Sequence, residues 1–523
     1  MATRTNLVNL DAMLKRADFA TENSDSTSFE KFNNIPARDL ASGAPIAALL
    51  RKPDFQRETN HWTPEQVVSL LKCYINGDLI PSVILWKSPS YLFVIDGGHR
   101  LSVLRAWIED DYGDGQISHK LFGHDISNEQ KKAAEKTRLL VNKEIGSWSY
   151  YQSLFSDDND VTSEQRKVLN ILTSRGLPVQ WVEGDTDKAE TSFFNINMKG
   201  TPLDEIEELL LRNRKKPIPI AARAIIRAGR GHRYWSCFEK EKAEIIEQES
   251  KKLHTLLFDP EIKMPIKTLD LPLSGSKGIR TAIQILIEFL MVANRPQQGL
   301  ALPIDKSHDD IDGEATVEVI KKSIKLASRI TGNDNGSLGL HPAIYFYGPT
   351  GRHSSPMFLG TIALINEKLI NNNKAFFDKF TNVREQLEIV LIENKDLIAA
   401  ISQKHVSQKR VDVHCQLLDS IINKLNDDEI VTQDDLISFA KLEGKLITGD
   451  YKSTSSRIND DQKSKTFIKT ALTSSIKCPI CNGYLDPNKS ISYDHIKRVR
   501  EGGDGNADNV QLTHPYCNMS IKK

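Results

Sequence analysis

The sequence predicts a multidomain α+β protein with an α+β N-terminal domain, a mainly helical middle and a small Cys/His-rich module at the C-terminus. Three observations predict it. Between residues 55 and 210, short β-rich apolar runs stand beside segments of helical periodicity. From 206 to about 450 the periodicity is almost entirely helical. Of the six cysteines, Cys73, Cys237 and Cys415 are scattered as small packing residues would be, whereas Cys478, Cys481 and Cys517 gather near the end. At roughly 150 residues per domain, 523 residues suit about three domains. We draw the boundaries as an arm at 1–30, an α+β domain at 31–210, a helical middle at 211–452, a linker at 453–465 and the terminal module at 466–523.

Composition excludes several classes. With 39% hydrophobic and 26% charged residues, the chain is neither disordered nor collagen-like. Lys plus Arg and Asp plus Glu both number 69, which argues against a uniformly basic nucleic-acid coat and confines any such function to local patches. No apolar run reaches the ~18 residues of a membrane helix, and the first twenty residues lack a signal-peptide apolar region, so a cytoplasmic protein without a membrane partner is expected.

The elements follow in order. WTPEQVVSLLKCYINGD has Thr63 as N-cap, Gln66 three residues later and apolar Val67, Leu70, Leu71 and Tyr74 on one face, which predicts a helix. PSVILW and YLFVI, separated by Lys-Ser-Pro-Ser, predict a hairpin or adjacent strands. Asp96-Gly97-Gly98 then breaks the pattern and helical spacing resumes at His99 through Leu101, Leu104 and Ile108. Further on, IEELLLRNR, RTAIQILIEFLMVA, VEVIKKSIKLASRI, REQLEIVLIENKDLIAAI and CQLLDSIINKL predict helices. Loops at 331–339 and 348–355 separate some of them, and the polar stretch 453–465 predicts a linker. Arg212, Arg214, Lys215, Lys216, Arg223, Arg227, Arg230 and Arg233, with Tyr234 and Trp235, suit either a nucleic-acid face or a solvated helix.

At the C-terminus, Cys478-Pro-Ile-Cys481 and His514-Pro-Tyr-Cys517 form two close pairs with a loop between them. That spacing suits a tetrahedral structural Zn²⁺, although His514 could instead face a catalytic site or cap a helix. Between the pairs, Ser490 to Ile496 alternates as a strand carrying Asp494-His495. A basic run, a glycine-rich loop and a helix near 509–521 are expected to follow. In residue types, His495 suits a general base and Asp494 with Asn518 supplies hard oxygen ligands for a catalytic Mg²⁺ or Mn²⁺. Lys497, Arg498 and Arg500 suit a phosphate backbone or a solvated face. The Asp-His pair, the central asparagine and the terminal Cys-Asn followed by lysines resemble the HNH endonuclease family, the ββα-metal fold, in its zinc-clipped form. The resemblance implies phosphodiester hydrolysis with His495, Asp494, Asn509 and Asn518 as catalytic residues, Asn509 orienting the histidine. His514 departs from the cysteine of many members, and Asn518 stands where the third family letter is histidine.

Asp96-Gly97-Gly98-His99-Arg100 lies at a strand-to-helix junction, where free N–H groups and the helix dipole favour an anion and glycine allows close approach. As a bare pentapeptide it equally suits Asp96 as a helix cap and Arg100 in a surface ion pair. With Gln56, Arg57, Trp62, Asn197, Gly200 and Leu203, the stretch 30–210 resembles the ParB/sulfiredoxin-like domain with a DGQQR signature, as in GmrSD-type modification-dependent restriction proteins. The resemblance implies a nucleotide or phosphate site at Gln56, Arg57, Asp96, Gly97, Gly98, His99 and Arg100, and control of a nuclease. Gly98 and His99 replace the two glutamines, although DGQHR-type relatives also carry the histidine.

Together these features predict a metal-dependent DNA endonuclease or nickase of a restriction or anti-phage system. Its N-terminal domain would sense or hydrolyse a nucleoside triphosphate, or sense modified DNA, to control the nuclease. The expected partners are foreign or modified phage DNA, an NTP, and a second copy or a defence subunit. The alternatives are a non-cleaving DNA-binding regulator with nucleotide hydrolysis at DGGHR, and an RNA-directed nuclease.

Overall fold

The computed structural model describes residues 7–521 except 18, 20–29, 54–55, 57–58, 61, 124–125, 157–160, 200–204, 231, 277–278, 297–302 and 447–457. It divides into two compact units. One comprises residues up to Arg214 with Arg230–Tyr234, and the other comprises Lys215–Gly229 with Trp235–Lys523. Among the described residues no helix is long and apolar enough to cross a membrane.

The first unit is built on a six-stranded mixed sheet. Its strands are β1 (Arg16–Ala17), β2 (Asn34–Pro36), β3 (Leu50–Pro53), β4 (Val83–Lys87), β5 (Leu92–Asp96) and β6 (Gly176–Val182), in the order β1-β3-β5-β4-β6-β2. β4 and β5 form the expected antiparallel hairpin, while β3 runs parallel to β5 and β6 parallel to β4. Alternation along β5 explains why LFVI reads as a continuous apolar run. Leu92 and Val94 face one core with Val83, Leu85, Leu101 and Leu104, and Phe93 and Ile95 face a second core with Phe19, Trp86 and Phe193. A sheet covered on both faces has no solvent side to mark with polar residues.

Helix α1 (Pro64–Asn76) has the expected capping box. The Thr63 hydroxyl accepts from Gln66 N–H, Gln66 returns the bond to Thr63 N–H at 2.9 Å, and left-handed Gly77 ends the helix. α1 buries Val67, Val68, Leu71 and Tyr74. After β5 comes α2 (Gly98–Glu109), entered through Gly97 at φ +93°. A Cβ at Gly97 would lie 3.0–3.1 Å from Val83, so both the backbone angle and the space require glycine.

The expected arm at 1–30 is corrected where it is described. Val8, Leu10, Met13 and Leu14 are buried in the larger core, and β1 pairs with β3. Asp11 anchors this segment by accepting from Lys52 Nζ at 2.7 Å, Arg16 Nη2 at 2.8 Å and Thr59 N–H at 3.1 Å, all away from water. Burying these charges is tolerable because each is paired and hydrogen-bonded.

The second unit is helical apart from one hairpin. The apolar segment Ile279–Ala293 packs between Pro217–Ile226 and Ser355–Ile370, which in turn packs on Arg410–Asn426. Pro217–Ile226 buries Ile220, Ala221, Ala222, Ala224 and Ile225, so much of the supposed basic stretch is core. α3 (Glu314–Ile330) carries its expected amphipathic stripe of Val317, Ile320, Leu326, Ala327 and Ile330. The long pattern from 384 to 401 is two helices, α4 (Arg384–Glu393) and α5 (Lys395–Lys404), separated at Asn394. The break has a cause. Lys395 is buried and spends its ammonium on the carbonyls of Ala343 and Tyr347, both at 2.6 Å, which fixes where α5 begins. The expected linker 453–465 is described only in its later part, where α6 (Asp460–Thr473) starts on an Asn459/Gln462 capping box.

The terminal segment belongs to this same unit. β7 (Ser492–His495) pairs antiparallel with β8 (Val510–Thr513). The helix expected over 509–521 is thus a strand followed by one short turn at Cys517–Ile521, because the alternating Val510, Gln511 and Leu512 complete the hairpin.

Candidate functional site

The two Cys/His pairs converge. The thiols of Cys478, Cys481 and Cys517 and the imidazole of His514 are all buried, and their ligand atoms lie within 4.8 Å of one another. A tight turn makes the first pair: Asn482 N–H donates to Cys478 C=O at 2.7 Å and Cys478 N–H to Gly483 C=O at 2.9 Å. In the second pair, His514 points Nδ1 at Cys481 Sγ (3.3 Å) and Cys517 Sγ (3.9 Å), while Nε2 meets the Tyr484 carbonyl at 3.0 Å. The carbonyl partner fixes the tautomer with the proton on Nε2 and leaves Nδ1 as the ligand atom, the usual outer bond of a metal-bound histidine. Burial also holds the imidazole pKa below its ordinary value, which keeps it a neutral ligand. Hydrogen bonds from Cys481 and Cys517 drive Cys478 toward thiolate, and sharing with Cys478 raises those two thiols in turn. Three thiols and one neutral imidazole, closed from water and lacking an open position, fit a structural Zn²⁺.

The hairpin carries two of the four expected catalytic residues, paired as Asp494 with Gln511 and His495 with Val510. Asp494 is buried, and its Oδ2 accepts from Gln511 Nε2 at 2.8 Å. Tyr493, on the adjoining position, is 72% exposed, and His495 is half-buried. Asn518 donates Nδ2 to Ser492 Oγ at 2.8 Å and to Tyr493 C=O at 3.2 Å, which turns its amide oxygen away from those contacts. Asn509 works on the backbone after the histidine. Its Oδ1 accepts from Lys497 N–H at 2.7 Å, and Nδ2 donates to Lys497 C=O at 3.0 Å and Asp504 C=O at 2.7 Å. Asn509 C=O also accepts from Ile496 N–H at 2.8 Å. The orienting role expected of Asn509 is therefore available only through the chain that carries His495. Lys497 and Arg500 are exposed and Arg498 half-exposed, with Glu501 3.9 Å from Arg500. Gln511, Ser492 and Tyr484 were not anticipated from the sequence. Strand pairing and knuckle closure bring them in, and no local motif marks either.

In the first unit, β5 and α2 place the DGGHR residues at one turn. Asp96 Oδ2 pairs with Arg100 Nη2 at 2.7 Å, and the same nitrogen donates to Ser82 C=O at 3.0 Å. Asp96 does not cap α2; Gly97, which has no side chain, occupies the N-cap position. Gln56 lies over this turn. It donates Nε2 to Val94 C=O at 3.1 Å, and its buried Oε1 lies 3.5 Å from where a Gly98 Cβ would sit, with no hydrogen-bond partner among the described residues. Trp62 stacks on His99, centroids 5.4 Å apart and planes 20° from parallel. Arg57, Gly200 and Leu203 lie outside the described residues, as does the side chain of Asn197. The buried Gln56 amide oxygen, the Gly97-led start of α2 and the stacked His99 imidazole thus stand at one turn, and a helix start favours an anion. In the basic stretch, Arg212 pairs with Glu208 and Arg214 with Glu190, and Trp235 is buried with its indole N–H on Glu247, so that tryptophan is not a base-stacking surface.

Residues 38–214 match the family described as GmrSD restriction endonuclease, N-terminal domain. The match runs from just after β2 to the end of the first unit's main segment and includes Gln56, Trp62 and the whole DGGHR turn. No curated protein and no solved structure matches the chain.

Proposed function

We propose that this chain is a metal-dependent DNA endonuclease or nickase of the restriction type, directed against foreign or modified DNA. In this reading the C-terminal hairpin is the HNH cutting module and the N-terminal domain controls it. The observation that carries the reading is the combination in one chain of a GmrSD N-terminal-domain match with a closed Cys₃His cluster framing an Asp494-His495 strand.

Hydrolysis of a phosphodiester needs an activated water and stabilisation of charge on the phosphorus oxygens. His495 takes the proton from the attacking water. Asp494 and Asn518 supply oxygen ligands, and a Mg²⁺ or Mn²⁺ held there would offset the developing phosphate charge. Gln511 fixes the Asp494 carboxylate, and Ser492 with Tyr493 C=O fixes the Asn518 amide, so neither ligand must be ordered during the reaction. Asn509 locks the turn after His495. Lys497, Arg498 and Arg500 track the substrate backbone. Cys478, Cys481, His514 and Cys517 would hold a structural Zn²⁺, which would tie β7, β8 and the Cys517–Ile521 turn into one frame.

In the sensor domain, Gln56, Gly97, Gly98, His99 and Arg100 bind the phosphate of a nucleotide or of DNA, with Asp96 holding Arg100 in place. One experiment sorts the readings: supercoiled plasmid, modified phage DNA and structured RNA are incubated with the full chain and Mg²⁺, with and without ATP and GTP. The proposal expects DNA cutting. RNA cutting alone favours an RNA-directed nuclease. DNA retention without cutting, with nucleotide turnover that vanishes in Asp96→Ala, favours the non-cleaving regulator.

A further inference from the structure

A fully buried ion pair of the helical body lies directly behind the Cys/His cluster. Arg384 is 1% exposed and Glu388 0% exposed, with Arg384 Nε donating to Glu388 Oε1 at 2.8 Å. Glu388 then reaches in two directions. Its Oε1 also accepts from the Tyr345 hydroxyl at 3.0 Å, and its Oε2 accepts from Tyr484 N–H at 2.7 Å. Tyr484 is three residues past Cys481, and its carbonyl is the group that meets His514 Nε2. The backbone N–H and C=O of a single residue, Tyr484, therefore link a carboxylate of the body to the imidazole of the cluster.

Arg384 closes the other side. Its remaining nitrogens donate to Leu338 C=O at 2.6 Å and Gly339 C=O at 2.9 Å, which belong to the loop after α3. Its side chain lies so close to Gly483 that a Cβ there would come within 2.5–2.9 Å of Nε, Cδ and Cγ. The same loop takes Tyr516 N–H on Ser337 C=O at 2.9 Å, and Arg329 of α3 sits between the rings of Phe377 and Tyr516, 4.4 and 4.7 Å from their centroids. Both ligand pairs are thus gripped by the body, the first through Glu388 and Arg384 and the second through Ser337 and Arg329.

A buried carboxylate and guanidinium are costly to desolvate and add little stability over a well-packed apolar pair. Their value here is directional: Glu388 Oε2 fixes the Tyr484 N–H of the first ligand pair, and Arg384 ties that carboxylate to the carbonyls of Leu338 and Gly339. We propose that Arg384 and Glu388 are the positioning residues of the Cys478/Cys481/His514/Cys517 metal centre, so that the helical body and the terminal module hold the metal as one unit. The inference rests on the Zn²⁺ assignment of those four ligands. It implies reciprocal coupling: breaking the pair loosens the metal, and removing the metal loosens α4 and the 331–339 loop.

The test uses the full-length chain loaded with Zn²⁺, with metal release to a chromogenic chelator followed over time at neutral pH. Glu388→Gln keeps the size and removes the charge; Tyr345→Phe removes only one O–H donor; Asp111→Asn is a buried carboxylate change in the first unit. Glu388→Gln is expected to release Zn²⁺ about 10–100-fold faster than wild type, the span typical of lost outer-shell partners. Tyr345→Phe is expected to show a smaller acceleration, and Asp111→Asn none. Wild-type release from both Glu388→Gln and Tyr345→Phe, or equal acceleration in Asp111→Asn, overturns the proposal. If Glu388→Gln does not fold, Tyr345→Phe decides alone on the same criterion. Failure of the underlying metal assignment looks different, because a wild-type chain that takes up no Zn²⁺ removes the ligand set itself and the proposal with it.

Discussion

Two adjacent glycines in the DGGHR turn should respond to alanine in opposite ways. Gly97 stands at φ +93°, outside the region open to an L-residue at low cost, and its added methyl would lie 3.0 Å from Val83 Cγ2 and 3.1 Å from Val83 Cα. The backbone angle costs about 1–2 kcal/mol. Crowding against a β4 backbone atom that cannot step aside adds about 1 kcal/mol. Gly98 is the first residue of α2, with only ordinary contacts at 3.5 Å or more, so Gly98→Ala should be neutral or stabilising by about 0.4–1 kcal/mol. Urea unfolding followed by tryptophan fluorescence reads this difference, because Trp62, Trp86, Trp107, Trp148 and Trp181 belong to the first unit and only Trp235 to the second. With a slope of about 2–3 kcal/mol per molar urea, the Gly97→Ala midpoint should fall by about 1 M. Equal midpoints for the two variants would refute the geometric argument for the turn.

Other outcomes follow from single features. Thr63→Ala removes one half of a complete capping box and should cost about 1 kcal/mol, read as a lower urea midpoint by the same fluorescence. In the second unit, burial lowers the pKa of His353 and of His414 to about 4. The unfolded chain takes up those protons near pH 6.5 and the folded chain does not, so stability should be full above pH 6.5 and decline as pH falls toward 4. Each histidine contributes roughly 3 kcal/mol to that decline. His414→Gln should flatten the acid limb of a plot of thermal midpoint against pH, and an unchanged limb would contradict the assignment. Cys478→Ser should purify with less than one equivalent of Zn²⁺ and a lower unfolding temperature for the second unit, since a metal that binds only the folded ligand set stabilises the unit that presents it.

Legibility from sequence followed the range of the interactions. α1 was readable to its cap because Thr63, Gln66 and Gly77 act within a few residues of one another. The β4–β5 hairpin and the glycine entry to α2 were readable for the same reason, and the Cys/His cluster because metal-ligand spacing is a local constraint even when the two halves are 33 residues apart. What escaped depends on distant partners. β1 is two residues long and becomes a strand only by pairing with β3, and the segment before it looked like an arm because its burial rests on Asp11 meeting Lys52. Glu388 and Arg384 read as ordinary helix charges at (i, i+4) spacing; only the fold places Tyr484 and Leu338 against them. The basic stretch shows the reverse error, since clustering in sequence suggested a surface while Pro217–Ile226 and Trp235 are core. The neutral charge balance thus averages over unlike parts, among them paired charges such as Arg214 with Glu190 and the basic run Lys497, Arg498 and Arg500 beside His495.

The most direct test of the account is plasmid cleavage by the full chain and by His495→Ala in Mg²⁺ or Mn²⁺, with zinc content and unfolding temperature measured on both samples. The account predicts that wild type nicks or cuts DNA and that His495→Ala, equally folded and equally loaded with Zn²⁺, does not. Equal cutting by the two proteins, or no cutting by a zinc-loaded wild type on any DNA with or without ATP and GTP, would contradict it.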